Sequence, residues 1–579
     1  MSVAEEAPRV WDRDCVSAEL PHAGIAHTAE GRLESGAASK AFCGYDVAAM
    51  LLFAVLVGLA VVTFKDYAVS NDEGVQHHYG ELILSYYASG FADQSLFRFD
   101  NLYLYGGLFD IVAVLLSRHL PMDPYDLRHI LCALIGISGV GFAWATARLI
   151  AGPRAALIAA SALAVCGSWY GGMFNHTKDI PLATAMAGAV FFLVLVSREL
   201  PRPKTGHVLC FGLLTGAALG IKVLGLLLVV YAALVVLVQL PRPFFSAPQA
   251  GLRYLRTSTG ALLPALLIAY VIMIAAWPWS GLAPLNPIRG LISFADFHYH
   301  IQTILDGQRY EMATSPRSYV PIYIAIKVPL LTTLGALVAV AFLALPVELA
   351  EGRRKSGETA LIAFCALFPL ICQFVGHGPA FTGMRHFLFV VPMLSILAGV
   401  GIDTMLSRLS FWRPIAASAA VVVGAVIAWN AATLIRLHPY EYLSYNALVG
   451  GLPGASRRYA MDYWVNIMPE AVESLKAYLD RKNGSSGARD QDSYTIGICG
   501  ERVSFEREKE VEQVTQLQWT ADWQRADFFI APTHMNCDGV LAGTIVTKIE
   551  RQGVLIGVVK DRRAITRPMV GDAGHIAPK

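Results

Sequence analysis

Residues 48–64 read Ala-Ala-Met-Leu-Leu-Phe-Ala-Val-Leu-Val-Gly-Leu-Ala-Val-Val-Thr-Phe, a run with no charge. Shortly beyond it the chain becomes Asn71-Asp72-Glu73-Gly74-Val75-Gln76-His77-His78-Tyr79-Gly80-Glu81. A helix needs about 20 apolar residues to cross a bilayer. The run therefore reads as the start of a membrane span, with an acidic turn just past it. Further apolar runs lie at roughly 129–147, 155–171, 180–197, 207–221, 223–240, 258–277, 321–346, 359–375, 387–405 and 414–433, which makes eleven spans. The stretch 102–119 is apolar but broken by Gly106-Gly107 and Asp110, and is read as a re-entrant or surface-lying helix.

Composition supports this reading. Of 579 residues, 55% are hydrophobic and 16% charged, with mean hydropathy +0.49. Soluble domains carry about 25% charge. This excludes an ordinary water-soluble enzyme, a disordered chain and a nucleic-acid binder. With 46 basic against 44 acidic residues the net charge is +2, too balanced for a polyanion partner. The fold class expected is a polytopic α-helical membrane protein of about eleven spans with soluble mass attached. Residues 1–45 are polar and read as a disordered cytoplasmic tail, 46–437 as the membrane domain, and 438–579 as a small α/β domain.

Charge sets the expected orientation. With the N-terminus in the cytoplasm and 102–119 not crossing, one side carries Arg148 and Arg154; Arg198, Arg202 and Lys204; Arg242, Arg253 and Arg256; Arg353, Arg354 and Lys355; and Arg408 and Arg413. Cytoplasmic loops are the ones enriched in Lys and Arg. A crossing at 102–119 would invert the pattern. Loops 65–128, 172–179, 278–320 and 376–386 and the C-terminal domain then face outward.

In that domain, helical spacing runs over Pro469–Leu479 and a loop follows at 483–487. Ser493–Cys499, Asp527–Ala531 and Thr544–Lys560 read as strands. Cys132, Cys166, Cys210, Cys365 and Cys372 lie in apolar runs and read as core. Cys499 and Cys537 face an oxidising compartment, where a disulfide can form.

Three outward motifs carry chemistry. Asp72-Glu73 offers carboxylates beside the membrane, suited to take a proton from an acceptor hydroxyl. It reads equally as a solvated turn capping the next helix. Asn175-His176-Thr177-Lys178-Asp179-Ile180-Pro181 sits in a short loop, and reads also as a helix cap with a snorkelling Lys178. Gly383-Met384-Arg385-His386 places an arginine where it can hold a phosphate or anchor at the interface. Lys222, between two apolar runs, either meets a lipid phosphate or snorkels. Loop 278–320 carries Trp277, Trp279, Asp296, His298, His300, Arg309, Arg317 and Tyr319; its aromatics read as an interface belt. No HxxxH or HExxH spacing supports a transition-metal site. A divalent cation is the one cofactor left open.

The acidic pair after the first span, a second Asp in the next outward loop, the span count and the outward domain resemble the GT-C glycosyltransferases. Within them the chain is similar to the protein O-mannosyltransferase and lipid A aminoarabinose transferase branch. Asn175–Pro181 resembles the Asn-Pro-Lys-Asp-Ile-Pro run of a bacterial subgroup, with His176 and Thr177 where one Pro is expected. Gly383-Met384-Arg385-His386-Phe387-Leu388-Phe389, His438-Pro439-Tyr440-Glu441-Tyr442, Tyr445-Asn446 and Gly450-Gly451 match the same subgroup. So does Asp462-Tyr463-Trp464, followed by Val465 where Gly is expected. The resemblance covers roughly residues 46–465.

It implies a polyprenyl-phosphate sugar donor, transfer to a lipid, glycan or protein acceptor by a single inverting displacement, and a place in the bacterial inner membrane. Asp72 or Glu73 would be the general base, and Asp179 would orient the acceptor or share that role. Arg385 and Lys222 would stabilise the leaving phosphate, and His77 or His78 would bind phosphate or acceptor. His176, Lys178, His386 and Tyr319 are the substrate-binding candidates. The relatives carry Arg or Lys in the first loop, where this chain has Gly74-Val75-Gln76-His77. The rival readings are a transporter or lipid flippase, against which the polar residues sit in loops and not on broken mid-membrane helices, and a non-catalytic assembly subunit.

Overall fold

The computed structural model describes residues 43–241, 248–295, 301–346, 350–376, 378, 382–486 and 493–567. Most of the expected N-terminal tail, Arg242, Asp296, His298, His300, His377 and Gly487 lie outside the described residues.

Seven helices are long and apolar enough to cross a membrane: Gly44–Thr63, Pro124–Ala151, Asp179–Glu199, Pro248–Ala276, Gly352–Gly376, Val390–Leu409 and Arg413–Leu437. Two bent pairs and the shorter apolar helices Thr205–Leu219 and Val223–Val238 occupy the remaining expected spans. The chain is thus a polytopic helical membrane protein. Asp179–Glu199 and Val390–Leu409 form its centre, with 78% of each apolar window buried, against 6% for Arg413–Leu437 at the edge. Local chemistry sets the ends. Asp123 caps Pro124–Ala151 by accepting from the Tyr125 and Asp126 N–H groups, Pro124 opens it, and Gly152 at φ 94° closes it.

Six expectations are corrected. The runs 155–171 and 321–346 are not straight spans. The first bends by 67° between Pro153–Ala164 and Gly167–Asn175, and the second by 112° between Tyr319–Lys327 and Leu330–Leu343, where Pro329 supplies no N–H. Thr544–Lys560 is a hairpin, Thr544–Arg551 with Val554–Asp561, turning at Gly553 (φ 73°). The loop expected from Asn483 begins later, because helix Met468–Ser486 runs on. Cys372 is exposed, and Trp277 is no belt residue: it is fully buried and its indole donates to the Tyr103 carbonyl at 2.7 Å.

The stretch 102–119 holds a short 3-10 turn, Leu102–Leu104, and the ten-residue helix Leu108–Ser117, too short to span. Its glycines explain the interruption. A Cβ on Gly106 would lie 2.0 Å from the Gly220 carbonyl oxygen. The bare backbone lets Gly106 N–H donate to Ile221 at 3.1 Å and Gly107 N–H to Ala276 at 2.8 Å. The first loop is thereby stitched to the ends of two bundle helices, beside Lys222. Buried Arg128 completes the anchorage through Asp110 at 2.8 Å.

Beyond the bundle the described residues form a five-stranded sheet. Its order is Leu517–Trp519, Tyr494–Ile498, Phe528–Pro532, Val554–Asp561, Thr544–Arg551, the first three parallel and the rest antiparallel. Cys499 and Cys537 are disulfide-bonded, joining the loops after two neighbouring strands. The domain rests on the first loop and the start of Pro124–Ala151. Glu501 N–H donates to Asn71 at 3.2 Å, and Arg507 pairs with Asp126.

Ion pairs mark the opposite end of the bundle. Arg148 meets Asp46 at 2.8 Å, Arg154 meets Asp403 at 2.7 Å and Arg198 meets Glu358 at 2.6 Å. Helix Asp179–Glu199 runs between the two ends, with Asp179 at the first and Arg198 at the second.

Candidate active site

Asp179 opens its helix, where free N–H groups favour a negative charge. Lys222 follows the end of Thr205–Leu219. Arg385 stands on the single turn Arg385–Phe387 ahead of Val390–Leu409. These three helix ends converge. Lys222 Nζ pairs with Asp179 Oδ1, Arg385 Nε stands 3.4 Å from Asp179 Oδ2, and an Arg385 terminal nitrogen donates to Asp72 at 2.6 Å. Two carboxylates and two cations from distant segments thus form one chain of contacts: Asp72, Arg385, Asp179, Lys222. His386 Nδ1 adds to its end, 3.4 Å from Lys222 Nζ.

The cluster lines a polar cavity of about 220 Å³, together with Gln76, Tyr105, Asn175, His176, Thr177, Lys178, Tyr463 and Trp464. An apolar groove of about 370 Å³ adjoins it and shares Tyr105, Lys222 and His386. The groove continues along Val223, Leu224, Leu227, Leu291, Phe387 and Phe389.

Segment 462–467 covers the cavity. The Arg385 guanidinium lies 4.6 Å from the Trp464 ring centre and 5.6 Å from that of Tyr463. The Trp464 indole donates to His176 Nε2. His176 is therefore the neutral tautomer with its proton on Nδ1, and burial pushes its pKa down to about 3. Nδ1 is buried with no partner among the described residues. The segment is held by fully buried Asp462, which accepts from the Tyr442 hydroxyl, from Asn466 N–H at 3.0 Å and from Ile467 N–H at 3.1 Å. Val465 sits at φ 57°, the left-handed region that glycine enters freely and a β-branched residue only with strain. The backbone that explains the expected glycine is kept although the glycine is not.

Most of the sequence-predicted residues meet here: Asp72, Asp179, Arg385, Lys222, His176, Lys178 and His386. Lys222 and Lys178 do not snorkel. Both are buried, Lys178 facing Asp110 at 3.8 Å and the Tyr105 ring at 4.8 Å. Burial lowers the Lys178 pKa.

Four candidates stand elsewhere. Glu73 is fully buried away from the cavity, accepting from Ser70 N–H at 2.8 Å, 3.2 Å from His129 Nε2 and 3.8 Å from Arg128 Nε. Helix Glu73–Ala88 turns it inward, so it locks the first loop instead of facing the cavity. His77 packs beside Tyr125, and His78 lies on the surface with Glu81 at 3.0 Å. Tyr319 is fully buried and accepts from Gly383 N–H at 2.9 Å, which fixes the turn before Arg385.

Sequence reasoning did not single out Asn175, Trp464, Tyr463 or Lys327. The Asn175 amide is buried on the cavity wall with neither end partnered among the described residues. Asn175, Tyr463 and Trp464 lie within motifs legible in the sequence, and Lys327 is the lone charge inside the run 321–346. No group of three or more His, Cys, Asp or Glu side chains close enough to hold a metal ion occurs among the described residues. The cations of the site are Arg385, Lys222 and Lys178.

Comparison with curated proteins found no match. Among solved structures, the chain is similar to ArnT from Cupriavidus metallidurans bound to undecaprenyl phosphate. The identity is 17%, coverage 89% of this chain and 98% of that one, and the TM-score 0.44. It is also similar to the archaeal oligosaccharyltransferase AglB from Archaeoglobus fulgidus in complex with an inhibitory peptide and a dolichol-phosphate. There the identity is 12%, coverage 84% and 70%, and the TM-score 0.39. A family model, dolichyl-phosphate-mannose-protein mannosyltransferase, matches residues 126–279. Over that segment, which holds Asp179 and Lys222, the family resemblance read from the motifs is borne out.

Proposed function

We propose that the protein is an integral-membrane glycosyltransferase that moves a sugar from a polyprenyl-phosphate donor to an acceptor hydroxyl, on the outward face of a bacterial inner membrane. The observation that carries this reading is the union of a charged cavity with an apolar groove at Lys222 and His386. An isoprenoid phosphate has that shape: a charged head and an apolar tail, delivered from the bilayer. The family match over 126–279 supports the same donor class. The positive-inside pattern supports the orientation.

Asp72 is the general base. Its side chain is 30% exposed and touches Arg385, whereas Asp179 is 4% exposed and sits between Lys222 and Arg385. The acceptor oxygen attacks the anomeric carbon, and its proton passes to Asp72. The bond from that carbon to the phosphate oxygen breaks on the opposite side, so the configuration inverts. The electron pair leaves with the polyprenyl phosphate, whose charge Lys222 and Arg385 hold. Asp179 aims both cations. Asn175 and His176 Nδ1–H offer hydrogen bonds to the sugar.

Protein in lipid nanodiscs, given radiolabelled polyprenyl-phosphate sugar and membranes as acceptor, tests this. Label moving from donor to an acid-stable product is expected. Donor crossing a vesicle bilayer with no chemistry would favour the flippase instead.

A further inference from the structure

Every cation on the wall of the polar cavity faces a carboxylate: Arg385 faces Asp72 and Asp179, Lys222 faces Asp179, and Lys178 faces Asp110. Lys327 does not. It ends the helix Tyr319–Lys327 and is buried, yet among the described residues no carboxylate lies within ion-pair distance. Its Nζ donates to the Tyr442 carbonyl at 2.7 Å and lies 3.9 Å from the Tyr445 ring centre. A carbonyl and a ring face only partly offset the cost of holding this amine protonated, so an anion brought to it has most to gain. A buried basic side chain without a counter-ion is costly, and such residues inside membrane proteins are characteristically functional.

Lys327 also has a cavity in front of it. A space of about 40 Å³ lies between Lys327, Ser168, Thr382 and Arg385. No Asp or Glu lines it. Four hydroxyl residues, Ser168, Thr382, Tyr442 and Tyr463, and the two basic side chains Lys327 and Arg385 do, a lining suited to an anion. The space shares His176, Arg385, Tyr463 and Trp464 with the polar cavity, so its occupant touches the reacting centre. It shares neither Lys222 nor Asp179.

The donor phosphate is drawn to the Lys222 side, because the groove for its tail opens there. That leaves the Lys327 side for the other reactant. We propose that Lys327 and the small cavity before it form a subsite for an anionic group, carboxylate or phosphate, carried by the acceptor next to the hydroxyl that is glycosylated. This deepens the glycosyltransferase reading and rests on it for the word acceptor; the anion site itself does not.

Two measurements on the full chain in nanodiscs separate the claims. The first is equilibrium binding of ³²P-labelled inorganic phosphate. Wild type is expected to hold one phosphate more than Lys327→Met, while Lys327→Met still holds the phosphate that Lys222→Met loses. That retained phosphate shows the variant is folded. Lys327→Met binding as much as wild type would overturn the subsite whether or not the protein transfers sugar. The second is transfer to membrane acceptors. Lys327→Met is expected to raise the acceptor KM roughly 10- to 100-fold, the loss of one charge-assisted hydrogen bond. After mild acid has destroyed residual donor, the labelled product is expected to bind an anion exchanger, whether it extracts into butanol as a lipid or stays in water. A product that passes through uncharged overturns the assignment to the acceptor.

Discussion

Asp72 and Glu73 are neighbours in sequence with opposite environments, and this gives opposite expectations for their amides. In Asp72→Asn, the partner lost is Arg385 at 2.6 Å, on a side chain 30% exposed, and Arg385 keeps Asp179. A partly solvated pair of this kind contributes about 0–1 kcal/mol to stability. Loss of a general base costs about 10²–10⁴ in rate, which at 1.36 kcal/mol per decade is about 3–5 kcal/mol of barrier. Glu73→Gln removes a fully buried charge that faces Arg128 and His129 and accepts from Ser70 N–H. Breaking a buried pair costs about 3–5 kcal/mol of stability. The assay is paired: thermal unfolding in detergent, and single-turnover transfer from labelled donor. Asp72→Asn should unfold with wild-type protein and be almost inactive. Glu73→Gln should unfold early and, in whatever fraction remains folded, retain transfer. Near-full transfer by Asp72→Asn would remove it from the mechanism. A stable but inactive Glu73→Gln would show that the base has been assigned to the wrong carboxylate.

Lys222→Met or Asp179→Leu alone leaves a buried partner charge and should cost about 3–5 kcal/mol of stability. The double variant should recover part of that loss without recovering transfer, which a double-mutant cycle on unfolding and rate would read. His438 joins Glu441 at 2.7 Å and Asp66 at 2.9 Å; burial works against its charge, but these two carboxylates raise its pKa above 6.5. A raised histidine pKa stabilises fully below the unfolded value and less as pH climbs through the folded one. The unfolding midpoint should therefore fall as pH rises past neutrality, and His438→Gln should flatten that slope. The Cys499–Cys537 bond closes a 38-residue separation, worth about 4 kcal/mol by loop entropy. Cys499→Ser with Cys537→Ser should lower the unfolding temperature of the sheet domain, followed by tryptophan fluorescence.

The membrane architecture was legible because desolvation is local. A run such as 48–64 has nowhere else to go, and Lys and Arg at alternate loops give an expected sidedness without any knowledge of packing. Asp72, Asp179, Lys222 and Arg385 were legible for the same reason: charges beside apolar runs are costly and therefore noticeable. Where a helix bends is less local. Pro329 announces the break before Leu330–Leu343, but the 67° turn at 165–167 depends on Gly167 lying against the Glu441 carbonyl, a contact between distant segments.

The order of residues alone tells that this chain spans a membrane many times, which residues carry charge between its apolar runs, and that a small sheet domain follows. Which of those charges meet is set by the packing of distant segments. Helix phase turned Glu73 inward to Arg128 and left Asp72 facing Arg385; Tyr319 went to the Gly383 turn and the His77–His78 pair away from the cavity. Packing also leaves Lys327, unlike the buried Arg128, Lys178 and Lys222, with no described carboxylate facing it. The physical reason is that hydrophobicity and charge are properties of each residue, whereas pairing depends on the helix ends that packing brings within a few ångströms.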